Sequence, residues 1–219
     1  ALRIDLTRPS AAPPLVEEIA IPIGHFVDFS VSPPCGLATA DRMIGVVDDP
    51  RYFFDPLRVD AGILWFAEGA ITYRIPVFHP GGRPIRAVSL SFEAGSEARG
   101  YAMDWPSRIR VRLNGLEVAA FVLPGDFGDR PGRLSPAYWK PKQINQYGIL
   151  KQVRIDGNGT AVDGALRSGI GLERVLDVDG EFLALEFVCR DNPFPGGGLT
   201  LYGKDFGDFP QDIRIRFES

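Results

Sequence analysis

The side chains best suited to chemistry fall in two stretches of this 219-residue chain: Tyr101, Asp104, Trp105, Asp126, Phe127 and Arg130, then Tyr138, Trp139, Gln146 and Tyr147. Flat rings beside Asp, Arg and Gln suit a polyhydroxylated or similarly polar small ligand. A ring face covers the C–H side of such a molecule, and the planar side chains give paired hydrogen bonds. The competing reading is loop packing, since long loops use aromatics to bury themselves. The candidate ligand-binding set is Tyr101, Asp104, Trp105, Asp126, Phe127, Arg130, Trp139, Gln146 and Tyr147.

Signatures of catalysis are missing. The chain has no G-x-S-x-G, P-loop, H-E-x-x-H or C-x-x-C motif. His25 and His79 each stand at a strand end without a second nitrogen or sulfur ligand nearby in sequence, and read as structural or surface histidines. Paired-carboxylate hydrolysis needs only two acids about 5–10 Å apart. Asp104, Asp126 and Asp191 are the candidates, but nothing singles out a raised pKa. Asp126-Phe127-Gly128-Asp129 is repeated as Asp205-Phe206-Gly207-Asp208. Two acids three apart could reach one cation, yet the spacing is not that of an EF-hand. The plainer reading is a turn in which Asp accepts backbone N–H bonds. The expectation is a non-enzyme with no cofactor, no catalytic residue and no metal ligand.

Rigid elements must hold these loops. Arg110-Val111-Arg112-Leu113 alternates, Asn114-Gly115 follows, and Val118 to Leu123 runs apolar. Asn-Gly between two strand-like runs is the strongest short hairpin signal, because a type I′ turn needs φ > 0 at both central residues. Further strands are read at Ile19 to Ile23, Phe26 to Val31, Ile85 to Glu93, Tyr147 to Ile155, Phe182 to Cys189, Leu199 to Tyr202 and Ile213 to Phe217. Ile63 to Phe66 and Ala70 to Ile75 read as a strand pair around Glu68-Gly69, and Ser32 to Gly36, with two prolines, as a turn or bend. Gly171 to Leu176 suggests one short helical turn. A long loop is expected from Pro124 to Gln146. No stretch keeps a 3.6-residue apolar period for three turns. About a dozen short strands with turn signals between them point to an all-β chain: a β-sandwich, jelly-roll-like and similar to galactose-binding-like modules. It reads as one domain over residues 1–219, with an N-terminal edge strand and linker in 1–16.

Composition agrees. The net charge is −4, and 25 glycines and 19 prolines are dispersed as turns. No basic stripe marks a nucleic-acid surface; Arg108, Arg110 and Arg112 share one face of a strand, which a solvated face explains. Cys35 and Cys189 read as two buried free thiols. With neither a signal peptide nor an apolar run of about 18 residues, the chain is expected to be cytoplasmic and to have no membrane partner.

A family resemblance rests on several runs in fixed order: Ile21-Pro22-Ile23-Gly24-His25-Phe26-Val27-Asp28-Phe29, Pro33-Pro34-Cys35-Gly36-Leu37-Ala38, Leu64-Trp65-Phe66, Asp104-Trp105-Pro106-Ser107, Leu113-Asn114-Gly115, Pro124-Gly125-Asp126-Phe127-Gly128, Asn145-Gln146-Tyr147-Gly148 and Gly203-Lys204-Asp205-Phe206-Gly207. Over nearly its whole length the chain resembles the C-terminal region of bacterial transcriptional regulators that carry an N-terminal winged helix-turn-helix of the ArsR type. The resemblance implies a sensor or effector domain that biases an attached DNA-binding domain when a small molecule binds. DNA would be touched only through that missing winged helix; a homodimer is compatible with the reading. A carbohydrate-binding module or accessory domain of a glycoside hydrolase is the alternative.

Overall fold

From Ser107 to Leu113 every second side chain is buried: Ser107, Ile109, Val111 and Leu113 face inward, and Arg108, Arg110 and Arg112 face the other way. This period of two is the rule of the whole molecule. The computed structural model describes residues 13–176 and 180–219. Most of the expected N-terminal edge strand and linker, residues 1–12, lies outside the described residues.

The described strands are β1 (Val16–Ile21), β2 (Asp28–Ala38), β3 (Ile63–Pro76), β4 (Ala87–Glu97), β5 (Ser107–Leu113), β6 (Leu116–Leu123), β7 (Ile149–Asp156), β8 (Gly159–Val162), β9 (Ala165–Ser168), β10 (Phe182–Cys189), β11 (Gly197–Tyr202) and β12 (Ile213–Glu218). One short helix, α1 (Leu172–Leu176), stands where the sequence suggests it. No described helix is long and apolar enough to cross a membrane.

All the strand pairings are antiparallel, in the order β6-β5-β10-β3-β11-β4-β7-β8-β9, with β2 on β3 and β1–β12 on β4. The path curls until β6 packs against β7, β8 and β9. The result is an all-β sandwich whose main core includes Phe66, Tyr73, Phe92, Phe187, Leu201 and Phe217. Cys35 and Cys189 are buried free thiols, and burial pushes the Cys35 thiol up to about 12.

The hairpin forms as its sequence demands. Asn114 takes φ 47° and Gly115 φ 78°, the left-handed pair a type I′ turn requires. Asn114 also ties the turn down: its Nδ2 donates to Val175 O at 2.9 Å, and its Oδ1 accepts from Ala184 N at 2.9 Å. Asn114→Ala removes both bonds and strains the turn. The expected loss is about 2–3 kcal/mol of unfolding free energy, read from urea denaturation.

Two local readings differ from the structure, and one hairpin was not read. Pro33-Pro34 does not break the chain: β2 runs through both prolines, because it pairs with β3 alone and its register jumps between Ser32 and Cys35, which frees both from the ladder. Glu68-Gly69 is not a turn, and β3 is one 14-residue strand. Gly69, at φ 145°, lets β2 come close, since a Cβ there would stand 2.0 Å from Ser30 O. The β8–β9 hairpin was unexpected, though Asp163 (φ 50°) and Gly164 (φ 81°) make another left-handed pair.

Candidate functional site

Alternation gives the sheet β2–β3–β11–β4 a second face. Leu64, Phe66, Leu201 and Phe92 point to the main core, while Ala38, Ile63, Trp65 and Tyr202 point outward into a smaller cluster with Trp139 and Phe206. The long connection from β6 to β7 supplies Trp139 and covers that face. The Trp65 indole lies over Gly36, where a Cβ would come 2.4 Å from the ring. Trp139 meets Trp65 at 5.7 Å and 62°, Tyr138 at 6.0 Å and 85°, and Phe206 at 5.3 Å and 85°.

Between these rings and the 39–48 loop is a hollow of about 340 Å³. Trp65, Tyr138, Trp139, Met43 and Ile144 form its apolar walls, and Glu97, Asn145, Asp48 and Arg99 its polar part. Its volume sits at the small end of the range of about 300–1,000 Å³ found for ligand pockets. Trp139 Nε1 donates to Asn145 O at 2.6 Å, and Tyr138 Oη donates to Thr39 O, so both walls are pinned to backbone.

The polar part is built on β4. Glu93 and Glu97 are four apart in a strand and share its outward face. Glu93 is fully spoken for: its carboxylate accepts from Gly148 N at 2.7 Å, Asp208 N at 3.0 Å and Phe209 N at 2.9 Å. Burial nevertheless outweighs these three donors and raises its pKa. Glu97 Oε2 lies 3.3 Å from Asn145 Nδ2 and 3.1 Å from Thr200 Oγ1; Glu97 Oε1 has no hydrogen-bond partner among the described residues. Burial and then the Asp126 charge push Glu97 well above the usual carboxylate range. Behind it Asp126 is fully buried; its Oδ2 accepts from Ala98 N at 3.1 Å and its Oδ1 has no hydrogen-bond partner among the described residues. Burial pushes Asp126 up to about 8, against the lowering pull of Ala98 N–H and the Asn145 amide.

This pair sets a pH dependence. Asp126 binds its proton more tightly folded, near 8, than its ordinary value of 3.8 allows unfolded. Its contribution to stability is therefore present below pH about 4 and is lost as pH rises toward 8. The urea midpoint of the protein is expected to fall between pH about 5 and about 8, and Asp126→Asn is expected to flatten that slope. A slope unchanged in the variant would place the titrating group elsewhere.

No protein-family model matches the chain, and no curated protein matches it. Among solved structures it is similar to the carbohydrate-binding module CBM36 in complex with calcium and xylotriose. The TM-score is 0.36 and the identity 6%, with 93% of this chain and 99% of that chain covered. The likeness assigns no ligand to this chain.

The expected site residues separate into groups. Trp139 lines the hollow. Asp126 lies buried next to its polar part. Gln146 is buried below: Nε2 donates to Trp139 O at 3.2 Å and Ile144 O at 3.4 Å, and Oε1 accepts from Gly132 N at 3.3 Å. Phe127, Tyr147 and Arg130 form a separate column. The two rings stack at 5.3 Å and 13°, the guanidinium lies 3.6 Å from the Tyr147 centroid, and Arg130 also pairs with Asp208 at 2.5 Å. Tyr147 Oη donates to Asp129 Oδ1 at 2.7 Å. Trp105 Nε1 donates to Glu97 O at 2.7 Å, and its ring lies over Gly196. The Tyr101 ring lies over Gly128. Asp104 is exposed and makes no ion pair among the described residues.

Reasoning from loops missed Trp65, Glu97 and Asn145. Trp65 and Glu97 lie within strands. The signal available for Glu97 was its spacing from Glu93, which puts two acids on one strand face.

Among the described residues no three His, Cys, Asp or Glu side chains gather in a way that would hold a metal ion.

Proposed function

We propose that the chain is one non-catalytic β-sandwich unit that binds a small polyhydroxylated ligand, carbohydrate in class, in the hollow between Trp65, Trp139 and Tyr138. One observation carries this reading: Trp139 with the Trp65 and Tyr138 rings inclined to it, and the polar side chains of Glu97, Asn145 and Asp48, meet at the same opening. Rings accept the C–H side of a sugar, while Asn145, Glu97 and Asp48 offer hydrogen-bonding partners to its hydroxyls. Catalysis is disfavoured by burial. A glycosidase acid pair must flank the scissile bond, and Asp126 has no exposed surface from which to do so.

The resemblance to ArsR-type regulators gives this unit a role. Ligand in the hollow would order the 39–48 and 124–148 connections and so bias a DNA-binding partner domain, typically by about 1–3 kcal/mol. A second reading, a polysaccharide-binding module, is favoured by an open polar strip of about 400 Å³ on β12, β4 and β7, lined by Ser89, Ser91, Gln152, Arg154, Arg214 and Arg216.

Titration calorimetry and intrinsic tryptophan fluorescence against monosaccharides and short oligosaccharides test the first reading. A soluble sugar should bind and shift the emission, and Tyr138→Ala should weaken it about tenfold, or about 1.4 kcal/mol. Retention on insoluble glycans with no response to any soluble sugar would favour the second reading and remove the hollow as the site.

A further inference from the structure

The polar part of the hollow is one-sided. The charges acting on Glu97 come from Asp126 on the β6–β7 connection and Asp48 on the loop after β2, and both are negative. From β11 it meets the Thr200 hydroxyl, and from the β6–β7 connection the Asn145 amide. Arg99 also lines the hollow, but it is exposed and is not among the groups acting on Glu97. Two carboxyls thus lie close enough to act on each other, neither forms an ion pair among the described residues, and Asp126 Oδ1 is fully buried with no hydrogen-bond partner among them.

Hydrogen counting shows how the empty site copes. Thr200 Oγ1 has one hydrogen, yet two acceptors stand 3.1 Å from it: Ser96 O and Glu97 Oε2. It also accepts from Asn145 Nδ2 at 3.0 Å. If Thr200 donates to Ser96 O, its contact with Glu97 is a hydrogen bond only when Glu97 is the donor. A proton on Glu97 satisfies every contact, and like-charged neighbours at close range share one proton for the same reason.

We infer that the hollow selects a ligand bearing a protonated amine, seated with its ammonium against Glu97 and beside the Trp65 and Trp139 rings. The ammonium supplies the missing cation, and indole rings attract it through their quadrupoles. As it arrives, the proton on the Glu97–Asp126 pair leaves to solvent, one proton released per ammonium bound. This inference rests on the proposed ligand site and narrows its ligand from a neutral sugar to an amino sugar or a comparably sized amine.

The test compares glucosamine with glucose and N-acetylglucosamine by titration calorimetry at mildly acidic pH, in two buffers of different ionisation heat. Glucosamine is expected to bind at least about tenfold more tightly than either neutral sugar. Its heat should depend on the buffer with about one proton released. Glu97→Gln can still accept from Asn145 and donate to Thr200, so the site should stay folded. That variant is expected to lose both the amine preference and the proton release, so that glucosamine binds it no more tightly than glucose does. Equal or weaker binding of glucosamine than glucose, or binding without proton release, would overturn the inference and leave the sugar site standing. Failure of all three sugars would remove the site itself, and the inference with it.

Discussion

Trp139→Ala is expected to cost about 3–5 kcal/mol of unfolding free energy, the range for emptying a buried aromatic position. The indole is 4% exposed and touches Trp65, Tyr138 and Phe206. Its loss has a second consequence. Nε1 holds Asn145 O, and Asn145 in turn reaches Glu97 and Thr200. The variant should therefore lose the hollow along with the stability, and bind no ligand of the parent. Trp139→Phe keeps most of the area and none of the Nε1 bond. It should recover more than half of the stability while its ligand affinity stays low. Urea denaturation and calorimetry on the same samples separate the two effects. A loss under about 1 kcal/mol for the alanine variant would mean that the loop does not close on the sheet.

Glu93→Leu should be nearly as damaging, for a different reason. The side chain fits the space but accepts nothing, so the N–H groups of Gly148, Asp208 and Phe209 lose their acceptor. Each buried donor left unpaired costs about 1–3 kcal/mol; roughly 4 kcal/mol is expected in total. Glu93→Gln keeps one acceptor oxygen and should fall between parent and leucine variant. The damage should also be local before it is global. Amide exchange should rise first at Gly148 and at Asp208 and Phe209, the two connections this one carboxylate clamps to β4. Uniform protection loss across the sheet would contradict a clamping role.

Strands and turns were legible wherever the local chemistry is self-contained. Asn114-Gly115 demands positive φ whatever surrounds it, and Leu172–Leu176 forms its turn within five residues. The alternation of Ile109, Val111 and Leu113 likewise needs no partner to be read. The aromatic and acidic loops read as gathering at the ends of the hairpin; Trp105 lies in the β4–β5 connection and Arg130 and Trp139 in the β6–β7 connection, and the two connections bond at Trp105 N to Pro124 O and between Ala102 and Asp126. What stayed hidden depends on a distant strand. Gly69 reads as a turn residue until Ser30 O is seen to pass over it. Trp65 reads as one more core residue of an apolar run, because a sequence does not say that the far side of β3 is covered by a loop some seventy residues later. Glu97 lies four residues past the strand read as Ile85 to Glu93, and only Asn145, Thr200 and Asp126 make it a buried acid. Gln146 carries the right chemistry for a ligand, but Trp139, Ile144 and Gly132 occupy it.

Pro33 and Pro34 lie in β2, which has β3 on one flank; on the other the 39–48 loop bonds Cys35 and Leu37, and no strand covers the part from Asp28 to Pro34 among the described residues. An open flank of this kind invites a foreign chain to extend the sheet, the first step of aggregation. Here the invitation is spoiled: two successive residues have no N–H to donate, and the jump in register beside them bends the template out of line. The same dipeptide that misleads a reader of the sequence thereby protects the molecule from its own kind, and replacing the two prolines with valines should turn a solitary sheet into a self-associating one.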